Sequence, residues 1–148
     1  MLYDPAFQRF VTVRERSSKE ITDYLAGIGV PSEKYEGILE ELREKLILDD
    51  RRFAENRAYS RRSLNRWGEL KIRHELAGLG IDKKDIAEIL GNVTEEEWLV
   101  STAREVAKLE RSGKTGEELE KAVISRLRSK GYTDKIIYAT IKKTGEHE

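Results

Sequence analysis

Four positions recur three times in this chain of 148 residues at a constant offset of 51: Ile21, Leu25, Gly29 and Val30; Ile72, Leu76, Gly80 and Ile81; Val123, Leu127, Gly131 and Tyr132. A repeat of that length holds several helices. One unit of about 50 residues makes only a marginal core, so neighbouring units must share apolar surface. Stacked helical units present a long surface to a partner more readily than they enclose a catalytic pocket. The repeat therefore points to a binding protein.

The rest of the chain reads as helix. The two prolines, Pro5 and Pro31, both stand where helices begin, and no stretch alternates apolar and polar residues long enough to make a strand. The second unit is clearest. Asp49 or Asp50 caps a helix from about Arg51 to Arg66, and Trp67-Gly68 breaks it. A shorter helix follows with Leu70, Ile72, Leu76 and Leu79 as apolar positions, Gly80 ends it, Ile81 tucks back, and Asp82 caps a third helix. The first unit echoes this with a helix from Pro5 to about Arg16, a cap at Ser17 or Ser18, and a third helix carrying Tyr35, Ile38, Leu39, Leu42 and Leu46. In the third, Thr94 caps an acidic helix start, Ser112 to Gly116 is a break, and Thr133 or Asp134 caps the last helix. The expected units are residues 1–48, 49–92 and 93–148, each a long helix, a short helix, a glycine turn and a helix. The fold class is all-α.

Composition narrows the chemistry. No cysteine is present, which removes disulfides and thiolate metal sites. No apolar run approaches the roughly 18 residues of a membrane span. The N-terminus lacks the layout of a secretory signal, so the expected compartment is the cytoplasm. Gly113-Lys114-Thr115 looks like the end of a phosphate-binding loop, but Lys108 stands where that motif needs its first glycine, and no strand precedes it. It reads as a loop. His74 reads as a helix residue and His147 as part of a charged tail; one internal histidine without cysteine builds no zinc site. No carboxylate pair stands out beyond Asp49-Asp50, which suits capping and the positive end of a helix dipole. No catalytic residue, metal site or cofactor is expected.

Charge is more informative. The net charge is zero, yet residues 51–76 carry a balance of +5, 104–143 again +5, 1–48 of −2 and 82–103 of −4. The middle unit's long helix concentrates Arg51, Arg52, Arg57, Arg61, Arg62 and Arg66. Arg57 with Arg61, and Arg62 with Arg66, are four apart and share faces. Guanidinium forks bind carboxylates or phosphates in bidentate fashion. Arg52 is instead a candidate structural partner of Asp49. Tyr59, Trp67, Tyr132 and Tyr138 are candidates to stack on bases or anchor a protein interface, with core packing the better reading for Trp67 and Tyr132.

The run Leu48-Asp49-Asp50-Arg51-Arg52-Phe53-Ala54-Glu55, followed by arginines, Trp67-Gly68, Ile72, Glu75-Leu76 and Gly80-Ile81, resembles the RecX family, bacterial regulators of the recombinase RecA. Arg14-Glu15-Arg16-Ser17 with Glu20-Ile21 is similar to the family's entry pattern, and Leu127, Lys130-Gly131-Tyr132 and Ile136 to its close. The resemblance covers about residues 6–142. It implies an elongated, curved array of three tandem three-helix repeats, without enzymatic activity, that acts as a monomer. It implies binding in the groove of the RecA–DNA filament, hindrance of strand exchange and ATP hydrolysis, and a role in recombination, DNA repair and the SOS response. Some family members also bind DNA, and a weak contact with single- or double-stranded DNA is the corresponding expectation here. On this reading Arg57, Arg61, Arg62, Arg66, Arg126, Arg128 and Lys130 are the partner contacts. Asp49, Asp50, Arg52, Phe53 and Ala54 hold the middle repeat together, and Gly80 and Gly131 make the glycine turns of the second and third units. The alternative is a helical DNA-binding protein in which residues 69–91 mimic a helix-turn-helix, although 82–91 is too acidic for a good recognition helix.

Overall fold

A computed structural model describes residues 1–146. His147 lies outside them. The described residues form α1 (Pro5–Val13), α2 (Ser18–Gly27), a 3-10 turn (Ser32–Lys34), α3 (Tyr35–Glu44), α4 (Asp50–Ser63), α5 (Glu69–Gly78), α6 (Lys83–Gly91), α7 (Glu95–Arg111), α8 (Gly116–Ser129) and α9 (Asp134–Glu146), with no strand among them. The accessible surface is 9039 Å², against roughly 7,800 Å² for a compact globule of this mass.

The helix starts follow the side-chain chemistry at each cap. Asp4 accepts from the amides of Ala6 and Phe7 ahead of Pro5. Ser17 and Thr94 close reciprocal capping boxes with Glu20 and Glu97. Asp49 accepts from the Arg52 amide at 3.0 Å and Asp82 from Lys84 at 2.8 Å. Thr133 receives the Ile136 amide at 3.4 Å.

The repeated signature is a helix end. After each short helix the glycine takes a left-handed backbone, with φ of 84° at Gly29, 82° at Gly80 and 86° at Gly131. The next amide reaches back to the leucine of the repeat: Val30 to Leu25 at 2.9 Å, Ile81 to Leu76 at 3.1 Å, and Tyr132 to Leu127 at 3.0 Å. The glycine amides bond to Ala26, Ala77 and Arg128. These are three Schellman caps, in which glycine supplies the positive φ and the following apolar residue folds onto the helix.

Several expected boundaries move. α1 stops at Val13 and α4 at Ser63, each about three residues short of the expected Arg16 and Arg66. The freed segments make the joints between units, and Arg66 sits at φ 56°. α3 ends at Glu44, and Leu46, expected on its buried face, is instead 77% exposed at φ 61°. Leu70, expected to be apolar core, is exposed, because it lies off the Ile72–Leu76 stripe of α5.

Two cores result. Phe7, Val11, Ile21, Leu25, Leu39, Leu42 and Leu48 pack together within the first three helices. A larger core runs without a break from Phe53 through Ile72, Leu76 and Trp98 to Leu127 and Ile137. The helices of the second and third units thus share apolar surface, and within the third unit the Trp98 and Tyr132 rings meet edge-to-face at 6.2 Å.

The joints repeat. At the first, the carboxylate of Asp50 accepts from the amide and the hydroxyl of Ser18 at 2.7 and 2.6 Å, Glu15 takes Arg52 and Asn56, and the Gly80 turn lies on Lys19. At the second, the Gly68 amide donates to the Lys130 carbonyl and the Leu70 amide to the Gly131 carbonyl, both at 2.8 Å. A Cβ on Gly131 would stand 2.6 Å from the Lys71 amide nitrogen, and one on Gly68 2.4 Å from that of Tyr132. In both joints the glycine turn of one unit sits on the first turn of the short helix before it.

Candidate functional site

The basic helix α4 leads the site. Its inner face buries Phe53, Ala54 and Ala58. Its N-terminal residues serve the fold as expected, with one change of partner. Arg52 donates from its side chain to Glu15 and to the carbonyls of Leu46 and Ile47, rather than to the Asp49 carboxylate, which takes its amide. Arg51 joins Glu55, Asp85 and Glu88, at 2.7, 3.1 and 2.6 Å, and so ties α4 to α6.

The arginines further along α4 face acids of the chain itself. Arg57 donates to Glu75 at 2.7 Å, and Arg61 to both oxygens of the same carboxylate at 3.1 and 2.9 Å. Arg61 also lies 4.6 Å from the centre of the Trp67 ring, and Lys71 lies 4.4 Å from it. Arg57 lies over Phe53. These side chains form one half-buried column along α4 and α5: three cations, one carboxylate and an indole against which two of the positive charges lie.

Arg62 meets Glu97 at 3.3 Å and lies over Tyr59. Arg66 and Lys130 converge on Glu105 from either side of the second joint, at 3.1 and 3.4 Å. Glu105 is 1% exposed, and its Oε2 has no hydrogen-bond partner among the described residues. Burial pushes its carboxyl up, but the Arg66 hydrogen bond and the Lys130 charge outweigh that and hold it below the usual carboxylate range. Tyr132 donates to the Arg66 carbonyl at 2.8 Å and is buried, which pushes its phenol up. Arg126 makes no ion pair among the described residues, and Arg128 reaches Asp134 only at 3.7 Å.

The seven expected contact residues therefore fall into three places. Arg57 and Arg61 belong to the Trp67 column. Arg62, Arg66 and Lys130 bind acids at the junction of the second and third units. Arg126 and Arg128 lie on the outer part of α8. The sequence reading did not find Glu75 or Glu105 as the acids these cations share. Glu105 did leave a signal, since it falls on the buried stripe of α7 with Trp98, Thr102 and Val106.

Among the described residues no group of three His, Asp or Glu side chains is placed to hold a metal ion, and no helix is long and apolar enough to cross a membrane. A concavity of about 400 Å³ between α7 and α9 is open and mostly apolar; the Thr102 and Thr140 hydroxyls in its lining bond to each other at 2.9 Å. His74 is exposed on α5, and Gly113-Lys114-Thr115 is the turn between α7 and α8.

Comparison with known proteins bears on the family and the fold. Residues 49–90, the unit of the basic helix, match the family model described as RecX, second three-helix domain. The whole fold superposes on a crystal structure of RecX from Lactobacillus salivarius with a TM-score of 0.83, at 20% identity over 93% of this chain and 91% of that one. A second crystal structure, of a regulatory protein RecX, gives a TM-score of 0.80 at 25% identity, over 93% of this chain and 71% of that one. The chain belongs to the RecX family. Relatives named regulatory protein RecX include those of Bacillus pumilus, 29% identical over 130 residues, and Halalkalibacterium halodurans, 32% identical over 130 residues. Each alignment covers 86% of this chain and 49% of the relative, so this RecX-family chain spans about half the length of these relatives.

Proposed function

We propose that this protein binds the groove of a RecA–DNA filament as a monomer and lowers the filament's recombinase and ATPase activity, thereby modulating recombination and repair, while catalysing no reaction itself. The observation that carries the reading is the middle unit: the segment matched by the family model is also the one that bears the cationic column on α4 and α5. The three units, 1–48, 49–92 and 93–148, act as successive repeats along which contacts with several protomers can be spread. Arg57, Arg61, Arg126 and Arg128 supply the charged contacts, and Arg62, Arg66 and Lys130 set the angle between the last two units.

The DNA-binding alternative has less support. The would-be recognition helix α6 presents Asp85 and Glu88, which are engaged with Arg51, and its outer face is not a basic track. The test is RecA's ATPase on single-stranded DNA with and without the protein. Inhibition that is weakened by Arg126→Glu with Arg128→Glu, in a variant with unchanged helicity, supports the reading. ATP hydrolysis that is insensitive to the unmodified protein refutes it.

A further inference from the structure

The 51-residue repeat allows the Trp67 column to be compared with its counterpart in the first unit, position by position. Arg61, Trp67, Lys71 and Glu75 correspond to Phe10, Arg16, Glu20 and Tyr24. In the first unit the Phe10 and Tyr24 rings stack at 4.2 Å, and Arg16 covers Phe10 at 4.0 Å while its Nε donates to the Phe10 carbonyl at 2.9 Å. Glu20 is met by Arg14 at 2.6 Å. In the second unit an ion pair, Arg61 with Glu75, takes the place of the two stacked rings, and the arginine and the aromatic have exchanged positions.

Stability does not account for that exchange. A half-buried ion pair gives little over a packed apolar pair at the same place, and the first unit shows that these positions accept aromatics. The second unit also over-supplies positive charge. Arg57 and Arg61 share one carboxylate and the Lys71 ammonium has no carboxylate partner among the described residues, so the column of three cations and one acid carries two uncompensated charges. Arg57 and Glu75 are 23% and 18% exposed, so solvent, and a partner, can reach them.

We infer that this column is a receptor for an acidic side chain of a protein partner, which enters beside Glu75 and shares its arginines. This deepens the filament reading given above and rests on it for the identity of the partner. Two observations favour a protein carboxylate over nucleic acid. Arg61 and Lys71 both already lie over the Trp67 ring, so the indole is occupied by cations where a base would stack. The charge is gathered around one ring rather than laid out as a track that follows a phosphate backbone. Glu75 acts as an internal competitor: it keeps the guanidinium groups oriented in the free protein and yields part of their hydrogen bonding when the partner's carboxylate arrives.

This makes a prediction a purely structural column would not share. Glu75→Gln removes the competitor and tightens binding, whereas Arg57→Gln with Lys71→Gln weakens it. The full chain, labelled with 5-fluorotryptophan, is titrated by fluorine NMR with a 20-residue poly-glutamate peptide and, separately, with an oligonucleotide of 20 thymidines. The Trp67 signal is assigned with Trp67→Phe, and circular dichroism checks each variant's fold. The expected result is movement of the Trp67 signal at lower concentrations of peptide than of oligonucleotide. Its midpoint falls several-fold in Glu75→Gln and rises about tenfold or more in the double variant. A silent Trp67 signal, tighter response to the oligonucleotide, or weaker peptide binding by folded Glu75→Gln overturns the inference. Co-sedimentation with RecA filaments separates the two claims. A chain that takes up the peptide at Trp67 but stays off filaments sinks the filament reading alone. A chain whose filament binding survives Arg57→Gln with Lys71→Gln sinks the receptor.

Discussion

Glu15 and Arg66 occupy the same position of the repeat, 51 residues apart, and carry opposite charge. Each lies in the non-helical segment before a short helix, and each is met by the opposite sign from the long helix of the next unit. Glu15 accepts from Arg52 and Asn56 of α4. Arg66 donates to Glu105 of α7 at 3.1 Å. The two joints are thus built alike with their polarity reversed. Docking the first unit directly on the third would set Glu15 against Glu105, a like-charge contact in a site that excludes water, so the joints discriminate between partners by repulsion as well as attraction.

Reversing one sign at the second joint should show this. Arg66→Glu sets two carboxylates together and should cost about 2 kcal/mol, reduced from the cost of a fully buried break because Arg66 is 30% exposed. Adding Glu105→Arg should recover about 1 kcal/mol through the restored pair. Urea denaturation of the two single variants and the double variant measures the coupling, and strictly additive costs would show that the pair contributes no specificity.

The same carboxylate gives the protein an acid-sensitive joint. Glu105 has its pKa lowered in the folded protein, so in acid the unfolded chain binds the proton first. Its contribution to stability is complete above the ordinary carboxylate range, about pH 4 to 5, and is lost as pH falls through the lowered value. Glu20, held down against its burial by Arg14 and the Ser17 amide, titrates in the same sense. Glu105→Gln stands in for the protonated acid. It should be less stable than the parent by about 1–2 kcal/mol at pH 7, and the difference should shrink below about pH 4. A difference independent of pH would mean that the carboxylate's charge is not what the joint uses.

The glycines of the repeat should not respond alike to alanine. All three lie at positive φ, which costs a Cβ about 1 kcal/mol. Gly29, with nothing within 4 Å of an added Cβ, should show that cost alone. Gly131 faces the Lys71 backbone at 2.6 Å, so Gly131→Ala should cost about 3 kcal/mol, with the excess coming from a forced joint. Thermal melts of the two variants make the comparison, and equal losses would show that the second joint gives way without strain.

Much of this architecture is legible in the sequence because it rests on local rules. Leu25, Gly29 and Val30 announce a helix end by the residue types that a Schellman cap needs, and Ser17, Asp49, Asp82 and Thr94 announce helix starts by their capping oxygens. The site was harder to read because its chemistry depends on distant pairings. That Arg57 and Arg61 share Glu75, 18 and 14 residues away, and that Arg66 meets Glu105 at a separation of 39, follows only from how the units stack. The shortened α1 and α4 had the same cause. Helix propensity continues through Arg14–Arg16 and Leu64–Arg66, but the joints require non-helical backbone there, extended at Arg14 and left-handed at Arg66, and tertiary contact overrides the local preference.

The final expectation concerns the order in which the units open. The first unit has its own core, whereas the second and third share one. What ties the first unit to the second is mostly polar: Asp50 on Ser18, Glu15 on Arg52 and Asn56, and the packing of Gly80 on Lys19. Such contacts each add about 1 kcal/mol, while a continuous apolar core links unit to unit far more strongly. Local opening should therefore begin in the first unit, with amides of α2 and α3 exchanging hydrogen well before those of α5, α7 and α8. Asp50→Ala removes the carboxylate that holds the start of α2. It should speed exchange across residues 18–44 about tenfold, the equivalent of ~1.4 kcal/mol, and leave α7 and α8 unchanged. Uniform acceleration over all nine described helices would instead mean that the three units unfold as one.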